Sequence, residues 1–171
     1  MGFQLDGRSL AALKGVHPDL VRVVQNCAAD SPMPFTFGVT CGLRTHREQK
    51  LTVASGASRT MNSRHLDGHA VDLVTLVSGE AKWDWPLYYT LADGMREAAM
   101  RCRVPLIWGA CWDREMADWK GPAAKESGEY SGRWYAAHPG HEGGPLMDGP
   151  HFELPRSKYI SGAYTPGIKT A

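Results

Sequence analysis

The sequence predicts an α+β fold: a small, mostly antiparallel sheet with helices packed against it, in a single domain. Three observations predict it. Two stretches carry apolar residues at helical spacing, one before the first strand candidate and one between later ones. The strand candidates are short, rich in β-branched and aromatic residues, and joined by long connections. The chain has 171 residues and shows no repeat, low-complexity tract or interdomain linker, a length that supports one core without staples.

In chain order, a short turn or helix around Ser9–Leu13 opens the domain. Pro18 begins an amphipathic helix with Leu20, Val23, Val24 and Cys27 on one stripe, proline being suited to a first helical turn. Asp30-Ser31-Pro32-Met33-Pro34 stops it, and Phe35–Cys41 alternates large and small residues as a strand does. After Gly42, Thr45–Ser55 reads as a helix with Thr45 as its cap and Glu48 at the capping-box position. A polar, flexible stretch, 56–64, leads into a β-branched run from His69 to Val77 that ends at Ser78-Gly79. Trp85–Arg103 is the longest helix, with Leu87, Leu91, Met95 and Ala98 aligned. Pro105–Gly109 reads as a third strand and His151–Leu154 as a short last one. The intervening stretch 113–147 has no clear period and reads as a long loop, which in a compact domain is usually functional. The folded domain is expected over 1–160, with 161–171 as a loose tail.

Composition narrows the function classes. Apolar residues make up 43% and the net charge is +1, which argues against a chain built to coat nucleic acid or an anionic membrane. Arg44, Arg47, Lys50, Arg59 and Arg64 nonetheless fall close together, either as a solvated face or as a patch that attracts an anionic polymer. Cys27, Cys41, Cys102 and Cys111 show no paired spacing, so free thiols in a reducing compartment are expected. The first residues carry no signal-peptide pattern, and no stretch reaches a transmembrane length.

The chemistry concentrates in two places. Ser63-Arg64-His65-Leu66-Asp67-Gly68-His69-Ala70-Val71-Asp72 places a histidine and a carboxylate seven apart where a loop enters a strand, and His151 follows far downstream. Two imidazoles and one carboxylate make a zinc set that leaves the fourth tetrahedral position open, as hydrolytic sites require. Gly68 allows the path that folds His65 back over the strand, and small Ala70 leaves room beside Asp72. A rival pair, His65 and His69, has the spacing of a helical H-E-x-x-H. It lacks the glutamate, has Leu66 in that place, and carries Gly68 inside the supposed helix. Hydrolysis also needs a base. Asp148, three residues before His151, is the candidate; Glu153 is either its rival or a support for a ligand. Arg44 is the candidate for the carbonyl oxygen's developing charge, with Gln49 second.

Ser63-x-His65-x-x-Gly68-x-Ala70-x-Asp72 with Asp148-x-x-His151 resembles the M15 metallopeptidases, the VanY-like and VanX-like peptidases. The nearest look is that of single-domain bacteriophage endolysins acting as L-alanyl-D-glutamate endopeptidases. Gly42-Leu43-Arg44-Thr45 and Trp108-Gly109-Ala110-Cys111-Trp112 fall in the family's order, so the resemblance spans roughly residues 1–155. It implies one Zn2+ ion on His65, Asp72 and His151, Asp148 as base, Arg44 on the substrate carbonyl, and Ser63 supporting the site from behind. Aspartate rather than glutamate at the base position leans toward the endolysin branch. The implied partner is the peptidoglycan stem peptide, cut between L-alanine and D-glutamate; Trp108, Trp112 and Trp134 are read either as packing on it or as core residues. No nucleic acid, no membrane insertion and a monomer are expected. So is synthesis in a host cytoplasm, with action on the wall after a holin breaches the membrane. The alternatives are a D,D-carboxypeptidase or dipeptidase on D-Ala-D-Ala ends and a non-catalytic wall-binding module. His138 and His141 within 113–147 are read as solvated histidines rather than as ligands of a second ion.

Overall fold

The computed structural model describes residues 2–30 and 32–162. The expected tail, 161–171, lies outside these residues except for its first two.

Asp6 caps α1 (Gly7–Ala12) by accepting the Ser9 N–H at 2.7 Å. Helix α2 (Pro18–Ala29) starts at the proline and buries Leu20, Val23, Val24 and Cys27. Each such aliphatic side chain removed from water contributes about 1.5–3 kcal/mol. Strand β1 (Thr36–Cys41) follows, and then α3 (His46–Ala54), whose Thr45–Glu48 capping box is formed in both directions. A 3-10 turn, Arg64–Asp67, ends at Gly68 with φ +68°, a left-handed conformation glycine adopts without strain. It delivers the chain into β2 (Ala70–Val77).

Every described strand pair is antiparallel, in the order β1, β2, β5 (His151–Glu153), β4 (Ile107–Trp108). Strand β3 (Glu80–Lys82) also pairs with β2. It was not anticipated. Ser78 and Gly79 both take positive φ, so the expected turn closes a two-residue hairpin instead of ending the sheet. Helix α4 (Trp85–Cys102) packs against α2 and buries Tyr88, Leu91, Ala92 and Met95. The paired residues Val71, Phe152 and Trp108 share the buried face of the sheet with Leu73 and Val39.

One expectation is overturned. The stretch 113–147 is not a long loop: it holds a 3-10 turn, Met116–Asp118, and a 15-residue helix, α5 (Ala123–Ala137). Two glycines and two serines lower its helix propensity. The buried face, Ala123, Glu126, Ser127 and Tyr130, has helical spacing but carries a glutamate and a serine, so no apolar period is visible. Glu126 is fully buried because its carboxylate accepts the N–H groups of Lys120 and Gly121 at 2.6 and 2.8 Å. The turn that satisfies it lies just before the helix and leaves no apolar pattern. No helix among the described residues is long and apolar enough to cross a membrane.

Candidate metal centre

Sheet register assembles the site. Asp72 on β2 pairs with Cys41 on β1 and with His151 on β5, so the three share one face, opposite the buried one. A bulge between Val39 and Cys41 disturbs β1 beside Asp72, and bulges commonly re-aim a side chain at such places. His65 arrives from the 3-10 turn, and the Arg44 N–H donates to its carbonyl at 3.0 Å.

The result is a tight triangle. His65 Nε2 lies 3.2 Å from Asp72 Oδ1 and 3.3 Å from His151 Nδ1, and His151 Nδ1 lies 3.1 Å from Asp72 Oδ1. The tautomers follow from the outer partners. His65 Nδ1 is 2.7 Å from the Gly42 carbonyl, which only accepts, so Nδ1 carries the hydrogen. His151 Nε2 donates likewise to Glu153 Oε2 at 3.0 Å. Two imidazole lone pairs and a carboxylate oxygen therefore point at one another with no donor between them. Three acceptors converging in this way repel unless a cation or a proton sits among them.

The electrostatics express the same demand. Burial disfavours the His65 cation, yet the adjoining Asp72 carboxylate outweighs it and pushes the imidazole up to about 10. His151 is also raised, against burial, by its bonds to Asp72 and Glu153. Asp72 is held well below the usual carboxylate range, because His65 and His151 outweigh its own burial. The charge that draws protons onto these rings would draw a metal cation equally, with protons displacing it as pH falls.

Cys41, His65 and Asp72 also form a group with donor atoms within 4.8 Å of one another. The thiol sits 3.7 Å from His65 Nδ1, on the ring edge already bonded to Gly42, and accepts from Arg44 Nη2 at 3.2 Å. It thus borders the triangle on the wrong side of the imidazole to share a cation with Nε2. Nothing local in the sequence marks Cys41; its strand pairing with Asp72 is a signal that only register reveals.

The remaining site candidates take distinct places. Asp148 lines an open cleft of about 750 Å³ together with His65, Asp72 and His151. Burial raises its carboxyl above the ordinary value, and no hydrogen bond to it is found among the described residues. Arg44 also lines the cleft, but its guanidinium is engaged with Asp72 Oδ2 at 3.3 Å and Gln49 Oε1 at 2.7 Å. Gln49 is fully buried, with its amide nitrogen on Ser58 Oγ and the Thr60 carbonyl at 3.0 and 2.7 Å. It holds Arg44 and does not face the cleft, so it is set aside as a carbonyl-oxygen donor. Ser63 caps the 3-10 turn, accepting weakly from the His65 N–H at 3.4 Å.

Trp108 is likewise not a substrate contact. It is fully buried and props the Asp148 loop by donating from Nε1 to the Gly149 carbonyl at 2.8 Å. Trp112 and Trp134 do line the cleft, Trp112 with its ring centroid 5.1 Å from that of His151. His138 stacks on Trp134 at 4.4 Å, and His141 meets the same ring edge-on at 5.2 Å. His69 lies apart from the triangle, fully buried and packed near His17 and Tyr159, which removes the rival histidine pair. Gly109, unremarked in the sequence beyond its place in a motif, brackets the site. It accepts the Asp148 N–H and donates to the His151 carbonyl, both at 2.8 Å.

Glu153 offers a direct test. Glu153→Gln removes the charge that orients His151, and metal affinity is expected to fall about 10- to 100-fold. Competition with a chromogenic chelator measures it; an unchanged affinity would mean that Glu153 does not support the ligand.

Residues 1–128 match the sequence profile of the family described as phage L-alanyl-D-glutamate peptidase. Among solved structures, the Serratia marcescens L-Ala D-Glu endopeptidase ChiX is similar at 34% identity. That match covers 93% of each chain with a TM-score of 0.65. No curated protein matches the chain.

Proposed function

Because the chain belongs to the phage L-alanyl-D-glutamate peptidase family, we propose that it is a zinc-dependent peptidoglycan hydrolase cutting the stem peptide between L-alanine and D-glutamate. The observation that carries this reading is the donor triangle of His65, Asp72 and His151, with edges of 3.1 to 3.3 Å. Tetrahedral zinc with bonds of ~2.0–2.1 Å places its ligand atoms roughly 3.3 Å apart, so the triangle fits that ion as it stands. His65 through Nε2, Asp72 through Oδ1 and His151 through Nδ1 would hold it, with Cys41 outside the set. Zinc bound there supplies Lewis acidity toward the scissile carbonyl and makes water a stronger acid.

The protein's own groups do the rest. Asp148, whose carboxylate has no hydrogen-bond partner among the described residues, takes a proton from the attacking water and returns it to the leaving amine. Its buried setting favours the protonated carboxyl it must pass through. Arg44 steadies Asp72, and its position on the cleft wall suits charge developing on the substrate oxygen. Gly42 and Glu153 fix the two imidazole tautomers. Trp112 and Trp134 offer apolar ring faces to the peptide.

Mass spectrometry of products from purified sacculi, with chelator and zinc add-back, tests the reading. Peptides beginning at D-glutamate, formed only with metal, are expected. Release of D-alanine instead would assign the site to carboxypeptidase chemistry. Undiminished activity after complete chelation would remove zinc from the reaction.

A further inference from the structure

The cations of the cleft are unequal. Arg44 is paired with Asp72. Arg64 is buried, pairs with Asp67 at 3.3 Å, and spends its other nitrogens on the carbonyls of Leu154 and Tyr159. Arg156 also lines the cleft, yet no carboxylate pairs with it among the described residues. Its guanidinium is nonetheless fixed, with Nη2 donating to the Asn62 carbonyl at 2.8 Å and Nη1 to Asn62 Oδ1 at 3.2 Å. Asn62 lies three residues before the metal-ligand candidate His65, and Arg156 three after Glu153, so these bonds tie the segment that leads into His65 to the one that leaves β5. Arg59, exposed and without an ion-pair partner among the described residues, lines the same cleft.

A guanidinium anchored on one side by neutral acceptors keeps its remaining N–H groups and its full charge for a ligand. Arg156 so fixed, with Arg59 as a second cation lining the same cleft, calls for an anion on the substrate. The proposed scissile bond supplies one by its chemistry. A glutamyl residue has two carboxyl groups, and only one can form the amide to the next residue of a chain. The other is a free carboxylate within the residue that donates the scissile nitrogen.

We propose that Arg156, assisted by Arg59, binds the free carboxylate of the D-glutamyl residue on the leaving side of the scissile bond and makes the enzyme selective for the acid over its amide. The assignment rests on the peptidase reading above and adds a direction to it: the leaving-group half of the substrate lies toward the 56–64 segment and Arg156. The residues around Trp112, Trp134 and Leu146 are tied among themselves, for instance by Trp112 Nε1 donating to the Leu146 carbonyl at 3.0 Å. They carry no arginine or lysine into the cleft and so receive the half on the acyl side.

Synthetic stem peptides that differ only in a free or amidated D-glutamyl carboxylate test it, read as the ratio of kcat/KM for acid over amide. Wild-type enzyme is expected to favour the acid by about 10- to 100-fold, the value of a charge-assisted hydrogen bond in a site that excludes the wrong group. Arg156→Met should collapse that ratio toward one. Arg156→Lys, which keeps charge but loses the fork, should leave an intermediate ratio and stands in if the methionine variant misfolds. A ratio unchanged in both variants, even with lower overall rates, would reduce Arg156 to a clamp on Asn62 and overturn the assignment. So would a wild-type enzyme indifferent to amidation while cutting both peptides well. Failure of wild type to cut either peptide would instead defeat the peptidase reading, and this assignment with it.

Discussion

Asp148→Ala is expected to lower kcat/KM on stem peptides by about 10²- to 10⁴-fold, the range over which a positioned proton-transfer group acts. The variant should keep its fold and its metal. The Asp148 side chain has no hydrogen-bond partner among the described residues, so its removal leaves none orphaned. Its loop is held by main-chain bonds to Gly109 and by Trp108, neither of which the substitution touches. Metal content by elemental analysis and a thermal melt separate this outcome from general damage. Hydrolysis at near wild-type rate would displace Asp148 as base. Glu153 would then be examined next, although its carboxylate is already committed to His151 at 3.0 Å.

Gly109→Ala should be nearly as damaging, although glycine carries no reactive group. A methyl at this position would overlap the Asp148 carbonyl oxygen and lie 3.0 Å from the Cβ atoms of both Asp148 and His151. Those neighbours are backbone and rigid strand, which cannot swing aside as a flexible side chain can. The candidate base and one metal-ligand candidate must therefore move together. Overpacking of this kind costs about 1–3 kcal/mol of stability. A displacement of about 1 Å at a reacting group is enough for a 10²-fold loss of rate. The expected signature is a modest fall in Tm with a disproportionate fall in kcat/KM and in metal affinity. Full activity with an unchanged Tm would show that the two segments are less tightly coupled than their shared hydrogen bonds imply.

Helices α2, α3 and α4 are legible from local signals: α2 and α4 carry a proline in the first turn and apolar residues at a 3.6-residue period, and α3 carries a capping box. Helix α5 is not, since its inward face carries Glu126 and Ser127, which interrupt the apolar period, and Glu126 is satisfied by N–H groups of the loop just before the helix, whose shape no periodicity displays. Strand β3 was hidden for a related reason. Glu80-Ala81-Lys82 has no strand character of its own and pairs only because the Ser78-Gly79 turn returns it to β2.

By itself the sequence determined the α+β class, the main helices and the donor residue types at spacings that suit a hydrolytic metal site. These are local properties, set by side-chain chemistry and by the periodicity of neighbouring residues. Tertiary structure alone decided which nitrogen of each histidine faces inward, because that depends on the Gly42 carbonyl and on Glu153. It also decided that Cys41 borders the triangle, that Gln49 and Trp108 serve from beneath, and that Arg156 faces the cleft without an acidic partner among the described residues. The physical reason is register. Cross-strand pairing joins Asp72 to residues 31 positions before it and 79 after it in the chain, and only the closing of the sheet determines which side chains then share a face.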